Sequence, residues 1–528
     1  AMRLALATLV LAAASMAQAQ LEDVRINPTT QEFVDSLGRI RYFRGLNAVS
    51  KLPPFSPPTD AFDHRFSIAA EDVRNLQEWG FNVIRLGLMW SAVEPQRGQY
   101  NTTYLDVMRQ VVASLADGGV YTILDAHQDA MSRRFCGEGF PDFAVQPSRA
   151  TQGPLLDFPA PLPFDIPIDP ATGRPDLNAC TKHQFALYYI TFECASAWQA
   201  FYESRDLHDA MAGSWRAAAS AFHDQAGVLG YELLNEPWLG SIWTHPLDAV
   251  VQGKADRENL VPLYERLHAA IREVDDERIV FYEPTVSESY LRQSVGFEMG
   301  PGGRAYDDRQ ALAYHLYCIA QNSSGDPRPL KGCESSLAPL WDVAQTDYRR
   351  VGGGAFLTEF GALGPHQSSA DLLTFMLDEA ERRGQSWTYW TWKDFNDITT
   401  QNPATETLYN EDGSLQLVKL KALSRPYAPA VAAQPGSVTS AFDTATGVYT
   451  LAYTINPAVT APTDIFLASQ FHYPNGANIT IAPSEMGLAS PDPQRASHVL
   501  IHHDGRAVEA AREGGSDALK IRITVSPL

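Results

Sequence analysis

Eight apolar, strand-like runs alternate with amphipathic helical segments along most of this chain, which predicts an α/β fold: a (β/α)8 TIM barrel followed by a C-terminal β-sandwich domain. Two further observations support that fold class. The alternation stops near Ser424-Arg425-Pro426-Tyr427, where short alternating runs with Gly, Pro and Asp turns take over. Two of the barrel runs, Leu233-Leu234-Asn235-Glu236-Pro237 and Leu357-Thr358-Glu359-Phe360-Gly361, also stop on a glutamate beside a turn-forming residue. A barrel of this kind presents its chemistry at the C-terminal ends of its strands, so such glutamates would face one mouth. An open doubly wound sheet is the alternative. It would usually carry a Gly-rich phosphate turn after the first strand, and Gly45-Leu46-Asn47-Ala48 is not one.

The barrel strands are expected at 43–49, 83–88, 121–127, 228–236, 278–284, 311–317, 355–361 and 386–392. Helical periodicity falls between them at 70–79, 103–116, 208–224, 260–274 and 370–383. Residues 128 to about 205 are far too long for an ordinary connection and carry Phe135, Phe140, Phe143, Phe158, Phe164, Tyr188, Tyr189, Trp198, Phe201 and Tyr202. These aromatics would either contact an apolar substrate beside the mouth or form the insertion's own small core. The sandwich strands are expected at 438–442, 448–455, 463–468, 498–502 and 519–524, with His502-His503 at a solvated strand edge.

A length of 528 residues exceeds one ordinary core, and 45% hydrophobic with 20% charged residues is a globular composition. The formal net charge of −21 argues against nucleic acid as a partner and against simple docking on anionic lipid. Arg3, the apolar run from Leu4 to Ala14 and the small-x-small site Ala17-Gln18-Ala19 read as a secretory signal peptide. The expected organisation is therefore a signal at 1–19, a catalytic barrel at 20–424 and a sandwich at 425–528, in a secreted protein. Of five cysteines, Cys318 and Cys333 flank a polar loop and make the best pair, Cys136 with Cys180 a weaker one, and one is left over. No CxxC or Cys/His cluster suggests zinc.

Two facing glutamates are the equipment of glycoside hydrolysis. Glu236, between Asn235 and Pro237, is the candidate acid/base, which must be protonated in one step and ionised in the next. Glu359 is the candidate nucleophile. Tyr317 could donate its hydroxyl to that carboxylate and Arg85 could add charge, although a purely structural ion pair is the alternative for Arg85. His127 and Asp129 suit sugar hydroxyls. Metal ligation by His127, Asp129 and His315 is the alternative, but no dense ligand set is present and no metal or cofactor is expected. Trp390 suits stacking under a sugar ring, Trp387 the barrel core, and Lys51 and Trp238 plausible subsites.

Taken together, Arg85, His127, Asn235, Glu236, His315, Tyr317, Glu359 and Trp390 match glycoside hydrolase family five in identity and order. Within it the chain resembles the endoglycoceramidases and their glucosylceramidase relatives. The cues are Phe43-Arg44-Gly45-Leu46-Asn47 with Lys51, Asp125-Ala126-His127-Gln128-Asp129, Tyr231-Glu232-Leu233-Leu234-Asn235-Glu236-Pro237-Trp238 and the appended sandwich. The resemblance implies Glu236 as acid/base and Glu359 as nucleophile in retaining cleavage of the bond between glycan and ceramide of a glycosphingolipid, without a cofactor. It further implies that Lys51, His127, Asp129, Asn235 and Trp390 hold the sugar, that the insertion helps form an apolar trough, and that the substrate is met at a micelle or membrane surface. Other readings are an exo-acting β-glucosidase on glucosylceramide or steryl glucoside, a polysaccharide endoglucanase, and a glycolipid-binding protein without activity.

Overall fold

The computed structural model describes residues 21–145, 158–286, 293–400, 403–503, 505–513 and 519–528, so the expected signal at 1–19 lies outside the described residues. Three short strands open the described chain: β1 (Val24–Ile26), β2 (Phe33–Asp35) and β3 (Ile40–Arg41). The barrel strands follow as β4 (Arg44–Ala48), β5 (Val83–Gly87) and β6 (Tyr121–Asp125). After a small hairpin, β7 (Ile168–Asp169) and β8 (Arg174–Pro175), come β9 (Val228–Glu232), β10 (Ile279–Tyr282), β11 (Gln310–Leu316), β12 (Gly354–Gly361) and β13 (Ser386–Trp390). β4, β5, β6 and β9 to β13 close into an eight-stranded parallel barrel. Each of these eight barrel strands falls on a predicted run.

Residues of alternating parity point into the barrel, and they change character along its axis. Near the floor, Phe43, Val83, Tyr121, Ile123, Ile279, Phe281, Ala311, Ala313 and Phe356 form one buried cluster, closed from below by Val24, Ile26 and Phe33. Phe33 meets the rings of Phe43 and Phe356 edge-on at 5.6 and 6.0 Å. Gly45 stands where β4 and β5 nearly touch, since a Cβ there would lie 1.8 Å from the Val83 carbonyl oxygen. One step higher, the inward positions turn polar and carry Asn47, Arg85, Asp125, Glu232, Glu283 and His315.

The second domain is a two-sheet sandwich. Its strands are β14 (Tyr427–Val431), β15 (Thr439–Asp443), β16 (Val448–Thr454), β17 (Thr463–Phe466), β18 (Ala477–Ala482), β19 (Leu488–Pro491), β20 (His498–His502) and β21 (Lys520–Pro527). One sheet runs β1-β2-β3-β14-β17-β20-β19 and the other β15-β16-β21-β18. Ile40, Val431, Ile465 and Ile501 from the first share a core with Phe442, Leu451, Ile523 and Val525 from the second. Two differences from the sequence reading stand out. Residues 24–41, assigned to the barrel segment beginning at 20, supply three strands to this sandwich sheet, and β14, β18 and β19 were not among the expected strands. In addition, only His502 is at the solvated edge. His503 turns inward, its Nε2 2.9 Å from the Tyr453 hydroxyl and its Nδ1 3.0 Å from the Met486 carbonyl oxygen.

Both expected disulfides are formed, Cys318–Cys333 and Cys136–Cys180, and Cys194 is the buried free thiol. The second bond closes a 44-residue span within the long insertion. Most insertion aromatics are buried in a core continuous with that of the barrel: Phe140 packs against Trp90, Trp198 and Phe201 with ring centroids 5.0–5.3 Å apart. Phe158 and Phe164 both pack on Tyr188. Tyr189 faces the mouth.

Candidate active site

Arg85 holds the polar layer together. It is fully buried on β5, and its guanidinium reaches residues of β4, β6, β9 and, across the barrel, β12. Nε donates to Glu232 at 2.6 Å; Nη1 donates to Asn47 at 3.1 Å and to Glu359 at 2.5 Å; Nη2 donates to Asn235 at 2.8 Å. Asp125 and Glu283 stand 3.1 and 3.4 Å away. Burial disfavours its cation, but the four carboxylates more than offset that and keep it fixed as a cation.

Glu359 owes its height in the barrel to a bulge. On β11 and β12, Tyr314 pairs with Leu357 but His315 pairs with Glu359, so Thr358 is the extra residue and the glutamate rises to the level of His315. Its Oε1 accepts from Arg85 and its Oε2 from the Tyr317 hydroxyl at 2.7 Å. Burial lifts the carboxyl above the ordinary range, while His315 and Arg85 pull it back. Two donors on separate oxygens both favour the ionised form and fix its direction, as a nucleophile requires.

Glu236 follows β9 in a left-handed backbone conformation, φ +39°, uncommon for a residue with a side chain. The turn aims its carboxyl across the mouth instead of along the strand. Oε1 lies 2.8 Å from His315 Nδ1, and the same nitrogen is 3.4 Å from Glu359 Oε2. One carboxylate oxygen from each glutamate and a nitrogen of His315 all fall within 4.8 Å of one another. That approach of one oxygen from each carboxyl agrees better with the roughly 5–5.5 Å carboxyl spacing of retaining glycosidases than with the about 6.5–9.5 Å of inverting ones.

A second charged group lies beside this pair. The Lys51 ammonium donates to Asp129 at 2.5 Å and Thr399 at 2.7 Å, stands 3.2 Å from Asp397 and 3.5 Å from Glu138, and lies 4.9 Å above the Trp390 ring. His127 stacks on Trp390, centroids 5.4 Å apart and planes 10° from parallel, with Nδ1 2.8 Å from Asp125. Burial opposes the His127 cation, yet Asp125 and Asp129 hold the ring at about 10. Trp390 donates its indole N–H to Glu406 at 3.0 Å. Charged donors and acceptors around an aromatic face are what a pyranose ring with its hydroxyls recognises.

Next to Glu236 the character changes. Gln128 Nε2 donates to the carbonyl oxygens of Asn235 and Glu236, both at 2.9 Å, and meets the Tyr189 hydroxyl at 3.2 Å. The Tyr189 ring stacks on Trp238 at 5.1 Å, with planes 25° apart. Further out, Trp243 donates its indole N–H to the Ile190 carbonyl oxygen, and Trp243, Leu247, Val250 and Val251 all expose apolar surface. The mouth thus carries stacked aromatic surface as well as the charged cluster around Lys51.

All the residues singled out from sequence lie at this mouth: Lys51, Arg85, His127, Asp129, Asn235, Glu236, His315, Tyr317, Glu359 and Trp390. His315, weighed as a third metal ligand beside His127 and Asp129, sits with Glu236 and Glu359 instead. Trp387 lies in the core against Phe81 and Phe360, as preferred. Asn47, Asp125, Glu138, Glu232, Glu283, Asp397 and Glu406 were missed. For Glu283 a signal was present, because Phe281-Tyr282-Glu283-Pro284 ends its strand as Leu234-Asn235-Glu236-Pro237 does. Glu406, in contrast, comes from a loop with no such pattern.

Comparison with known proteins agrees with this arrangement. The model described as cellulase (glycosyl hydrolase family 5) matches residues 54–396, and that of the glycoside hydrolase family 5 C-terminal domain matches 425–510. An endoglycoceramidase of Cyanea nozakii is 35% identical over 465 residues, 88% of this chain and 88% of its own. One from Hydra vulgaris is 35% identical over 484 residues, 91% of this chain and 88% of its own. A structure of endo-glycoceramidase II from Rhodococcus sp., solved as its lactosyl-enzyme intermediate, superposes with a TM-score of 0.70 at 23% identity, covering 94% of this chain and 99% of that one. A family match spanning the strands that carry Arg85, Glu236 and Glu359, with relatives this similar along nearly the whole chain, places the protein in glycoside hydrolase family 5.

Proposed function

We propose that this protein is a retaining endoglycoceramidase, which cuts the β-glycosidic bond between the glycan and ceramide of a glycosphingolipid. The single observation carrying the chemistry is the close approach of Glu236 and Glu359, both of which meet His315 Nδ1. In the first step Glu359 attacks the anomeric carbon as Glu236 gives its proton to the departing ceramide oxygen. In the second, Glu236 takes a proton from water, which attacks the same carbon and releases the glycan from Glu359. Lys51, His127, Asp129 and Trp390 hold the sugar. No cofactor enters either step.

The lipid assignment rests on the aromatic surface of the mouth. The leaving group departs on the side of its proton donor, and there the wall is Tyr189 and Trp238, leading outward to Trp243. A polysaccharide endoglucanase would continue sugar platforms and hydroxyl partners through that side. The relatives named endoglycoceramidase favour the same reading. Thin-layer analysis of the products from lactosylceramide tests it: lactose plus ceramide is expected, and galactose or free glucose as first product would make the enzyme exo-acting.

Substrate access from a micelle or membrane surface is supported by an exposed apolar stripe. Leu247 and Val250 share one face of the turn Leu247–Val250 and are 57% and 70% exposed. Apolar surface at a mouth edge is suited to the headgroup boundary of a neutral lipid layer, whereas the net charge of −21 disfavours an anionic one. Leu247→Asp with Val250→Asp is expected to lower the rate on glycolipid in phosphatidylcholine vesicles about tenfold while changing turnover of a soluble aryl β-lactoside little. Equal losses on both substrates would refute the docking role. Export fits the same picture, supported by Arg3, the apolar run to Ala14, and two formed disulfides suited to an oxidising compartment.

A further inference from the structure

Glu283 is a third buried carboxyl at the catalytic pair, and neither step of the displacement uses it. It follows β10 and is 3% exposed. Its Oε2 accepts the backbone N–H of Glu236 at 3.2 Å, and its Oε1 stands 3.4 Å from His315 Nε2 and 3.4 Å from Arg85 Nη2. His315 therefore lies between two carboxyls, Glu236 at Nδ1 and Glu283 at Nε2. We propose that Glu283 is the positioning residue of the acid/base glutamate, clamping the left-handed turn at Glu236 through its N–H and holding His315 doubly protonated against the Glu236 side chain. The proposal rests on the acid/base reading of Glu236 given above.

Each half of this role answers a physical need. The backbone of Glu236 sits in a region that costs of order 1 kcal/mol or more for a non-glycine residue, and such a conformation persists only where its surroundings over-determine it. The hydrogen bond from Glu283 is one of two contacts that do so, the other being Gln128 on the Glu236 carbonyl oxygen. As for the imidazole, Nδ1 can donate to Glu236 in either the neutral or the charged ring. The Glu283 carboxylate, 3.4 Å from Nε2 without a hydrogen bond there, favours through its charge the ring with both nitrogens protonated. Such an imidazolium stabilises the carboxylate that Glu236 becomes when it protonates the leaving group. The groups facing His315 are Glu236, Glu283, Glu359 and the Tyr317 ring; those facing Glu283 are His315, Arg85, Glu232 and the Glu236 N–H. Burial disfavours the His315 cation, but Glu283 and Glu359 together lift the ring well above its ordinary value. Burial raises the Glu283 carboxyl, while the adjoining His315 and Arg85 cations oppose that and favour its ionised form.

A defect in the acid shows up through the leaving group. Ceramide is a poor leaving group and needs the proton, whereas 2,4-dinitrophenolate departs without one. Glu283→Gln in the full chain keeps an oxygen for the Glu236 N–H but removes the charge facing His315. It is expected to lower kcat/KM on lactosylceramide by roughly ten- to a hundredfold, a part of the ~10²–10⁴ that a general acid supplies. The loss on 2,4-dinitrophenyl β-lactoside should be at least about tenfold smaller. Glu283→Asp, which draws the carboxylate back from both contacts, should show the same split and serves if the glutamine variant does not fold. Equal losses on the two substrates, or wild-type kinetics on both, would overturn the proposal. Glu236→Ala is the control: if it shows no such split itself, the acid/base reading fails and not the role of Glu283.

Discussion

Glu359→Gln is expected to abolish turnover of lactosylceramide, lowering kcat by about four orders of magnitude or more, while the folded protein still binds glycolipid. The scale is that of removing the nucleophile from a covalent mechanism, where the remaining groups rescue little. The substitution is nearly isosteric. In the wild type, Arg85 donates to Oε1 and Tyr317 to Oε2. In the variant the amide oxygen can keep Arg85, and the amide nitrogen can donate to a Tyr317 hydroxyl turned to accept it. Arg85 still faces Asp125, Glu232 and Glu283, so its charge is not stranded. The melting temperature should therefore change little and the loss should be chemical. A second measurement fixes the role: a 2-deoxy-2-fluoro aryl β-lactoside should trap a covalent glycosyl adduct on Glu359 of the wild type, found by peptide mass spectrometry, and none on the variant. A variant keeping more than about 1% of activity, or an adduct on another carboxylate, would remove Glu359 from the role.

Much of this site was legible before any coordinates because strand-end residues in a parallel barrel share one mouth. His127, Glu236, His315, Tyr317, Glu359 and Trp390 each lie at or just past the end of a recognisable apolar run and Arg85 lies within one, so placing the strands placed the residues. The inward parity of those strands would also have found Asn47 beside Gly45, Asp125 beside Ile123 and Glu283 beside Phe281, had it been followed past the two glutamates. Other features had no local signal. Thr358 bulges because of pairing between β11 and β12, and the sequence around it reads as an unbroken strand. Glu138, Asp397 and Glu406 reach Lys51 and Trp390 from irregular segments whose path depends on what they pack against. The strands β1 to β3 were missed because they are two or three residues long and gain their stability only by pairing with β14, far away in sequence. The aromatics of the insertion could not be divided between core and substrate by composition, because the two uses demand the same residue types.

Arg85→Lys should then be the most costly conservative change in the barrel. Four carboxylates, on Asp125, Glu232, Glu283 and Glu359, lie 2.5–3.4 Å from one fully buried guanidinium, which also bonds Asn47 and Asn235. An ammonium carries the same charge but has three donors at one point, in place of five spread over a planar fork, so it cannot reach all four acids. Asp125, Glu283 and Glu359 would keep His127, the Glu236 N–H and Tyr317, but at least one buried acid would lose its cation, and Glu232 has Arg85 as its one side-chain donor among the described residues. Breaking buried ion pairs in this way costs about 3–5 kcal/mol, and the variant should lose roughly that much stability in urea unfolding. The catalytic consequence has a definite sign. Glu359 must be ionised to attack, burial already raises its carboxyl, and Arg85 is one of the cations that pull it down. With that cation withdrawn the carboxyl rises further, ionisation needs a higher pH, and the acidic limb of kcat/KM should move to higher pH. An acidic limb that stays in place would mean that Tyr317 and His315 suffice to keep the nucleophile ionised. Wild-type stability would mean that the four acids share protons in the absence of their cation and do not depend on it.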